Sequence, residues 1–161
     1  MNEIYNIQSL DPGMKIALFG GSGFVGSYIV KQLISADFIP RVLVREQSSS
    51  KITSSCEVID GDIQDTNAIL DTMNGADAII YNIGIIRQFP QKGITFNELH
   101  LDGVKRCIDI ANSLGLKRFI LMSANGVKSD GTAYQRTKWQ ADEALIQSGL
   151  NWTIFRPSLI F

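Results

Sequence analysis

Tyr134 and Lys138 stand four residues apart, as Y-x-x-x-K, in a stretch from Thr132 to Gln147 that reads as a helix. That spacing puts a phenol and an ammonium on one helical face. An ammonium beside a phenol favours the phenolate and lowers a tyrosine pKa from about 10. Such a tyrosine can exchange a proton with a substrate oxygen near neutral pH. Ser123 ends the apolar run before this helix and carries a hydroxyl suited to holding the same oxygen. Alone, Y-x-x-x-K also describes any surface Tyr–Lys pair, so its meaning depends on what the rest of the chain builds.

Near the start, Gly20-Gly21-Ser22-Gly23-Phe24-Val25-Gly26 follows a short apolar strand and opens an amphipathic stretch. Glycines at Gly20, Gly23 and Gly26 suit a tight turn, a close backbone approach to a pyrophosphate, and a helix packed tightly on a sheet. A pyrophosphate would then rest on free N–H groups at a helix N-terminus. The spacing alone is weak; its place between the first strand and the first helix makes it a dinucleotide loop. Gly20, Gly23, Phe24, Val25 and Gly26 are its cofactor-binding candidates.

Cofactor choice is read at the end of the second strand. NAD-selective sites carry an acid there for the ribose 2′-hydroxyl. This chain has Arg45, followed by Glu46, Ser48 to Ser50 and Lys51. A guanidinium suits the 2′-phosphate of NADP(H), so NADP(H) is favoured over NAD(H). Stacking of Arg45 on adenine, or simple solvation, are the alternatives. Asp62, after the third strand, is placed to accept from the adenine amino group, with Ile63 beside the ring. Ile83 and Gly84, closing the fourth strand, are expected along the cofactor's middle.

These groups need a scaffold that brings distant strand ends together. Apolar runs alternate with helical patterns throughout: strands at Met14–Gly20, Arg41–Arg45, around Glu57–Asp60, Asp77–Gly84, Arg118–Ser123 and Trp152–Ile160. Helices fall between them at Phe24–Ser35, about Thr66–Met73 with Asp65 as cap, Phe96–Leu114 and Thr132–Gln147. The first helix is expected to bury Val25, Tyr28, Ile29, Gln32 and Leu33. The third is expected to bury Phe96, Leu99, Val104, Cys107, Ile108, Ala111 and Leu114. Strands buried on both faces and right-handed crossovers predict an α/β, Rossmann-type doubly wound parallel sheet of six strands with helices on both faces.

Of the 161 residues, 45% are hydrophobic and 19% charged, with a net charge of -1. The charge gives no bulk attraction for nucleic acid. Cys56 and Cys107 form neither a metal motif nor a disulfide framework, which predicts two buried thiols in a reducing cytoplasm. No metal site is read. No apolar run reaches the roughly 18 residues of a membrane span. Residues 1–13 read as a short leader and 14–161 as the domain. The apolar end at Leu159-Ile160-Phe161 predicts a fragment of something longer.

The motifs GGSGFVG, LVR, GDIQD, YNIG, YQRTK and FRPSLIF, with Ser123 at its strand end, resemble the short-chain dehydrogenase/reductase superfamily. The resemblance is to its extended or atypical branch, the NAD-dependent epimerase/dehydratase and NmrA-like group, and covers Met14 to Phe161. Gly84-Ile85-Ile86-Arg87, His100-Leu101-Asp102-Gly103 and Trp152–Pro157 are most similar to the atypical subgroup resembling the NAD(P)H-binding accessory subunit of respiratory complex I. The resemblance implies Tyr134 as general acid/base, Lys138 as its tuner and holder of the nicotinamide ribose, and Ser123 as the group orienting substrate.

Two departures stand out. Ser123 and Tyr134 are closer together than in the extended enzymes. His100, the only histidine, stands where many relatives carry asparagine, and a structural hydrogen bond is expected of it. Relatives also carry a smaller C-terminal substrate region after the Arg156-Pro157 strand. Two function classes follow: a hydride-transfer oxidoreductase or epimerase/dehydratase acting on a small molecule not identified by the sequence, or a non-enzymatic NADP(H)-binding accessory subunit or assembly factor associated with a larger complex.

Overall fold

Lys15–Phe19 forms strand β1, with Ile16 to Phe19 all buried, as a strand covered on both faces requires. This is seen in a computed structural model, which describes residues 11–45 and 55–160. Glu46, Ser48 to Ser50, Lys51, Phe161 and most of the proposed leader lie outside the described residues. Helix α1 (Phe24–Ser35) leads to β2 (Ile39–Val44), and β3 (Glu57–Asp60) leads to α2 (Thr66–Met73). The Asp65 carboxylate caps α2, accepting from the Asn67 and Ala68 N–H groups. Strand β4 (Ala78–Tyr81) is followed by a short 3-10 turn (Pro90–Lys92), a π-helical turn (Asn97–Asp102) and α3 (Gly103–Leu114). Strand β5 (Arg118–Met122), α4 (Ala133–Ile146) and β6 (Asn151–Phe155) complete the order.

All strands run parallel, in the order β3-β2-β1-β4-β5-β6. This is the doubly wound arrangement, with its reversal between β1 and β4. Alternation along β1 divides the core. Leu18 packs with Val30 of α1 and with Val42 and Val44. Ala17 and Phe19 face the opposite way, toward Ile69, Met73, Val104, Cys107, Ala141 and Leu145. Helix α1 therefore covers one face and α2, α3 and α4 the other.

Four expectations are corrected. Helix α1 buries Gly26 and Val30, with Ile29 and Leu33 half-buried, while Tyr28 is 58% exposed and Gln32 is also exposed. The strip spaced 26, 29–30, 33 faces the sheet, and Tyr28 falls outside it. The long helix opens as a π turn, and its last apolar residue, Leu114, is exposed at the C-terminal end. Strand β6 is shorter than expected, ending at Phe155, and is not buried: it is the sheet edge, and Pro157 lacks the N–H to continue it. Cys107 is buried, but Cys56 is only half-buried.

Candidate functional site

The glycine loop is shaped by close backbone contacts. Gly20 turns β1 into the loop with φ +90°, and a Cβ there would sit 2.9 Å from the Asn82 carbonyl. At Gly26 a Cβ would collide with the Gly20 carbonyl oxygen, so α1 leans on the loop through bare backbone. Gly23 differs: a Cβ there would meet only the Gly20 oxygen at 3.4 Å, with the rest of its surroundings open. Gly23 is also the N-cap of α1, which has no side-chain cap and no acid in its first turn. That leaves N–H donors and the positive end of the helix dipole for an anion.

One cavity of about 750 Å³ runs from this loop along the C-terminal ends of the strands. It is lined by Gly20, Gly23, Phe24 and Val25, by Arg45, Asp62 and Ile63, by Ile83 and Gly84, and by Ser123, Tyr134 and Lys138. All the candidate residues thus share one cleft except Gly26, which lies behind the loop as packing. The volume is that of a cofactor or ligand cleft. Arg45 is exposed at its edge. Asp62 also has a turn role, since its Oδ1 accepts from the Gln64 N–H at 3.1 Å.

The other end is made of side chains. Lys138 is 4% exposed, and its Nζ donates to the Met122 carbonyl at 2.9 Å. Burial lowers its pKa to about 8, against the opposing pull of Asp142. Ser123 is buried, and among the described residues its Oγ has no hydrogen-bond partner. Such a hydroxyl costs free energy unless something completes it. The Tyr134 pKa is raised by burial, opposite to the expectation from its spacing. The ammonium meant to lower it is turned to the Met122 carbonyl instead.

His100 shows what steadies this end. It is 1% exposed, and its Nε2 accepts from the Ile85 N–H at 3.1 Å. A backbone N–H can only donate, so the neutral ring carries its proton on Nδ1, 3.2 Å from the Thr137 hydroxyl. Thr137 in turn donates to the Ala133 carbonyl in the first turn of α4. Burial, and then the Lys138 charge, lower the His100 pKa to about 3. The ring also stacks on Phe96 at 5.3 Å and meets Tyr134 edge-on at 5.2 Å. His100 therefore has the expected structural hydrogen bonds, and it ties the segment after β4 to the helix carrying Tyr134 and Lys138.

Sequence reasoning missed Phe96 as a neighbour of Tyr134, Thr137 as the partner of His100, and Asp142. Asp142 is fully buried, and its Oδ2 accepts from Arg156 Nε at 2.9 Å. The fourfold spacing of Tyr134, Lys138 and Asp142 on α4 was the available signal. Among the described residues no cluster of three His, Cys, Asp or Glu suits a metal, and no helix is long and apolar enough to cross a membrane.

Comparison with known proteins agrees with this geometry. A family described as NAD(P)H-binding matches residues 20–160. The chain is 28% identical to the ceramide reductase of Caulobacter vibrioides, over 91% of this chain and 46% of that protein. It is 25% identical to the mitochondrial NADH-ubiquinone oxidoreductase 40 kDa subunit of Neurospora crassa, over 92% of this chain and 41% of that protein. The chain thus spans less than half the length of these relatives. A solved structure from Bacillus halodurans, described as a putative NAD-dependent epimerase/dehydratase, superposes with a TM-score of 0.76 at 26% identity, covering 91% of this chain and 71% of that one.

Proposed function

The chain belongs to the NAD(P)H-binding family, in the company of short-chain dehydrogenase/reductase-like proteins, and we propose that it uses its cofactor for hydride transfer on a carbonyl or alcohol substrate. The proposal takes residues 14–161 as the cofactor domain and the cytoplasm as its setting. The observation that carries it is the single cavity in which Ser123, Tyr134 and Lys138 meet the glycine loop, with an unpartnered Ser123 hydroxyl inside. A bound nicotinamide supplies the hydride donor or acceptor. Gly23 and the first turn of α1 hold the pyrophosphate. Asp62 and Ile63 hold the adenine, and Arg45 holds the 2′-phosphate, so that NADP(H) is preferred. Ile83 and Gly84 line the middle.

Ser123 Oγ orients the substrate oxygen. Tyr134, held protonated by burial, gives that oxygen its proton when a carbonyl is reduced. Lys138, anchored by its bond to the Met122 carbonyl, holds the nicotinamide ribose. The test is nicotinamide-absorbance turnover of a panel of carbonyls and nucleotide sugars by the full-length protein and its Tyr134→Phe variant. Turnover abolished by the loss of one hydroxyl supports the reading; turnover indifferent to it removes Tyr134 from the chemistry.

A second reading is favoured by the similarity to the Neurospora 40 kDa subunit. In that reading the bound cofactor is structural or redox-sensing, and the protein is an accessory subunit or assembly factor of a larger complex. Tight NADP(H) binding without turnover of any substrate in that panel would select it.

A further inference from the structure

The segment after β4 folds back on itself. Phe89 N–H donates to the Ile94 carbonyl at 2.7 Å, and Ile94 N–H to the Phe89 carbonyl at 3.2 Å. Between them Pro90–Lys92 forms one 3-10 turn, closed by Gly93 at φ +69°. The hairpin is not free at its tip: Gln64, just beyond Asp62 and Ile63, donates from Nε2 to the Gly93 carbonyl at 3.2 Å. This bond crosses between the loop after β4 and the loop after β3.

Three features of the hairpin turn toward the cavity. Phe89, Lys92 and Ile94 all line it. Phe89 remains 45% exposed, with the Arg87 guanidinium 5.4 Å from its ring centroid. Lys92 is exposed and, among the described residues, makes no ion pair. An apolar wall and an unpaired cation on a latched hairpin suit a ligand with a flat ring and a phosphate.

We infer that the Phe89–Ile94 hairpin is a clasp over the adenosine half of the bound dinucleotide, latched by Gln64 and carrying Lys92 as a phosphate ligand. The inference rests on the placement of the cofactor in this cavity. The Gln64 contact fixes the side: it anchors the hairpin beside the β3 end, next to Asp62 and Ile63. The effect of the clasp is on release, where most differences among related complexes lie.

The experiment is calorimetry and stopped-flow release of NADPH and of NADH, at two salt concentrations. It compares the parent chain, Gln64→Ala, Lys92→Gln and Gly23→Val. Gln64 and Lys92 are exposed, so both variants should fold, and circular dichroism checks this. Gln64→Ala should release both nucleotides about tenfold faster, the scale of one hydrogen bond. Lys92→Gln should weaken binding about tenfold and reduce its salt dependence. A loss shared by NADPH and NADH assigns Lys92 to the pyrophosphate, and a loss confined to NADPH assigns it to the 2′-phosphate; either supports the clasp. Either variant releasing both nucleotides at the parent rate, while Gly23→Val has lost binding, overturns it. Undiminished binding by Gly23→Val overturns the cavity assignment beneath it.

Discussion

The two ends of the cavity are built on different principles. At the glycine loop the shape comes from side chains that are absent: seven contiguous residues, with backbone meeting backbone at Gly20 and Gly26. At the tyrosine end it comes from buried polar side chains and the groups that bond them, gathered from five places. Ile85 follows β4, His100 lies in the π turn, Met122 ends β5, Thr137 and Lys138 lie on α4, and Arg156 follows β6. The first end should fail sterically and the second electrostatically. A buried hydrogen-bonded network answers to pH and to the loss of one partner, whereas a backbone cradle answers only to added volume.

The largest effect should come from two glycines three residues apart. Gly26→Ala sets a methyl against the Gly20 carbonyl, where nothing flexible can yield. It should cost about 3 kcal/mol or more of stability and abolish nucleotide binding. Gly23→Val points into open space. It should leave stability within about 1 kcal/mol of the parent, as surface substitutions do, yet weaken nucleotide binding at least about 100-fold. Chemical denaturation and calorimetry measure the pair. Similar stability losses would mean the two glycines do not divide packing from binding.

His100 tests the other end. His100→Leu leaves the Ile85 N–H and the Thr137 hydroxyl short of a partner, and should cost about 2–4 kcal/mol. The sign of the pH effect is specific. The folded-state pKa is depressed from 6.5 to about 3, so below pH 6.5 the unfolded chain takes up a proton that the folded chain refuses. Stability from this site is complete above pH 6.5 and is lost as pH falls toward 3, at up to about 1.4 kcal/mol per pH unit. Between pH 6.5 and 5, mostly above the carboxylates, the parent should show this slope and His100→Leu should not. Equal slopes would show that the ring is not held neutral.

Next comes Arg45, which belongs to neither network. Arg45→Asp removes a charge-assisted bond to a 2′-phosphate and adds a repelling carboxylate, so NADPH should bind about 30-fold more weakly or worse. NADH has only a ribose hydroxyl at that point and should change little. Equal losses for both nucleotides would end the NADP assignment.

This contrast explains what the sequence disclosed. The succession of strands and helices along the chain and the glycine loop were legible because each rests on local spacing: apolar runs bounded by turns, and three glycines between a strand and a helix. Tyr134, Lys138 and Ser123 could be named, but their electrostatics could not. The Tyr134 pKa is raised by burial rather than lowered by its neighbour, and the Lys138 ammonium bonds the Met122 carbonyl, sixteen residues away. The His100 hydrogen bond was expected, but not its Thr137 partner 37 residues further on. The Gln64–Gly93 latch joins residues 29 apart with no periodic signal. The misassigned face of α1 has a different cause: Tyr28 is large and apolar in a helical pattern, yet the close approach at Gly26 sets the helix's rotation and leaves the ring outside.

The smallest expected effect is the most discriminating. Tyr134→Phe removes one oxygen and keeps the ring that packs edge-on against Phe96 at 5.7 Å and His100 at 5.2 Å. Packing should therefore survive, and nucleotide affinity should change by less than about twofold, since only a hydroxyl assigned to the substrate is lost. Lys138→Ala should behave differently. It takes away the donor to the Met122 carbonyl and the charge proposed for the cofactor ribose, and should weaken nucleotide binding about tenfold. The pair separates substrate chemistry from cofactor holding within one turn of α4. If calorimetry finds Tyr134→Phe as damaging to affinity as Lys138→Ala, the phenol is a cofactor ligand rather than a proton donor. The two ends of the cavity would then both serve binding, as the accessory-subunit reading requires.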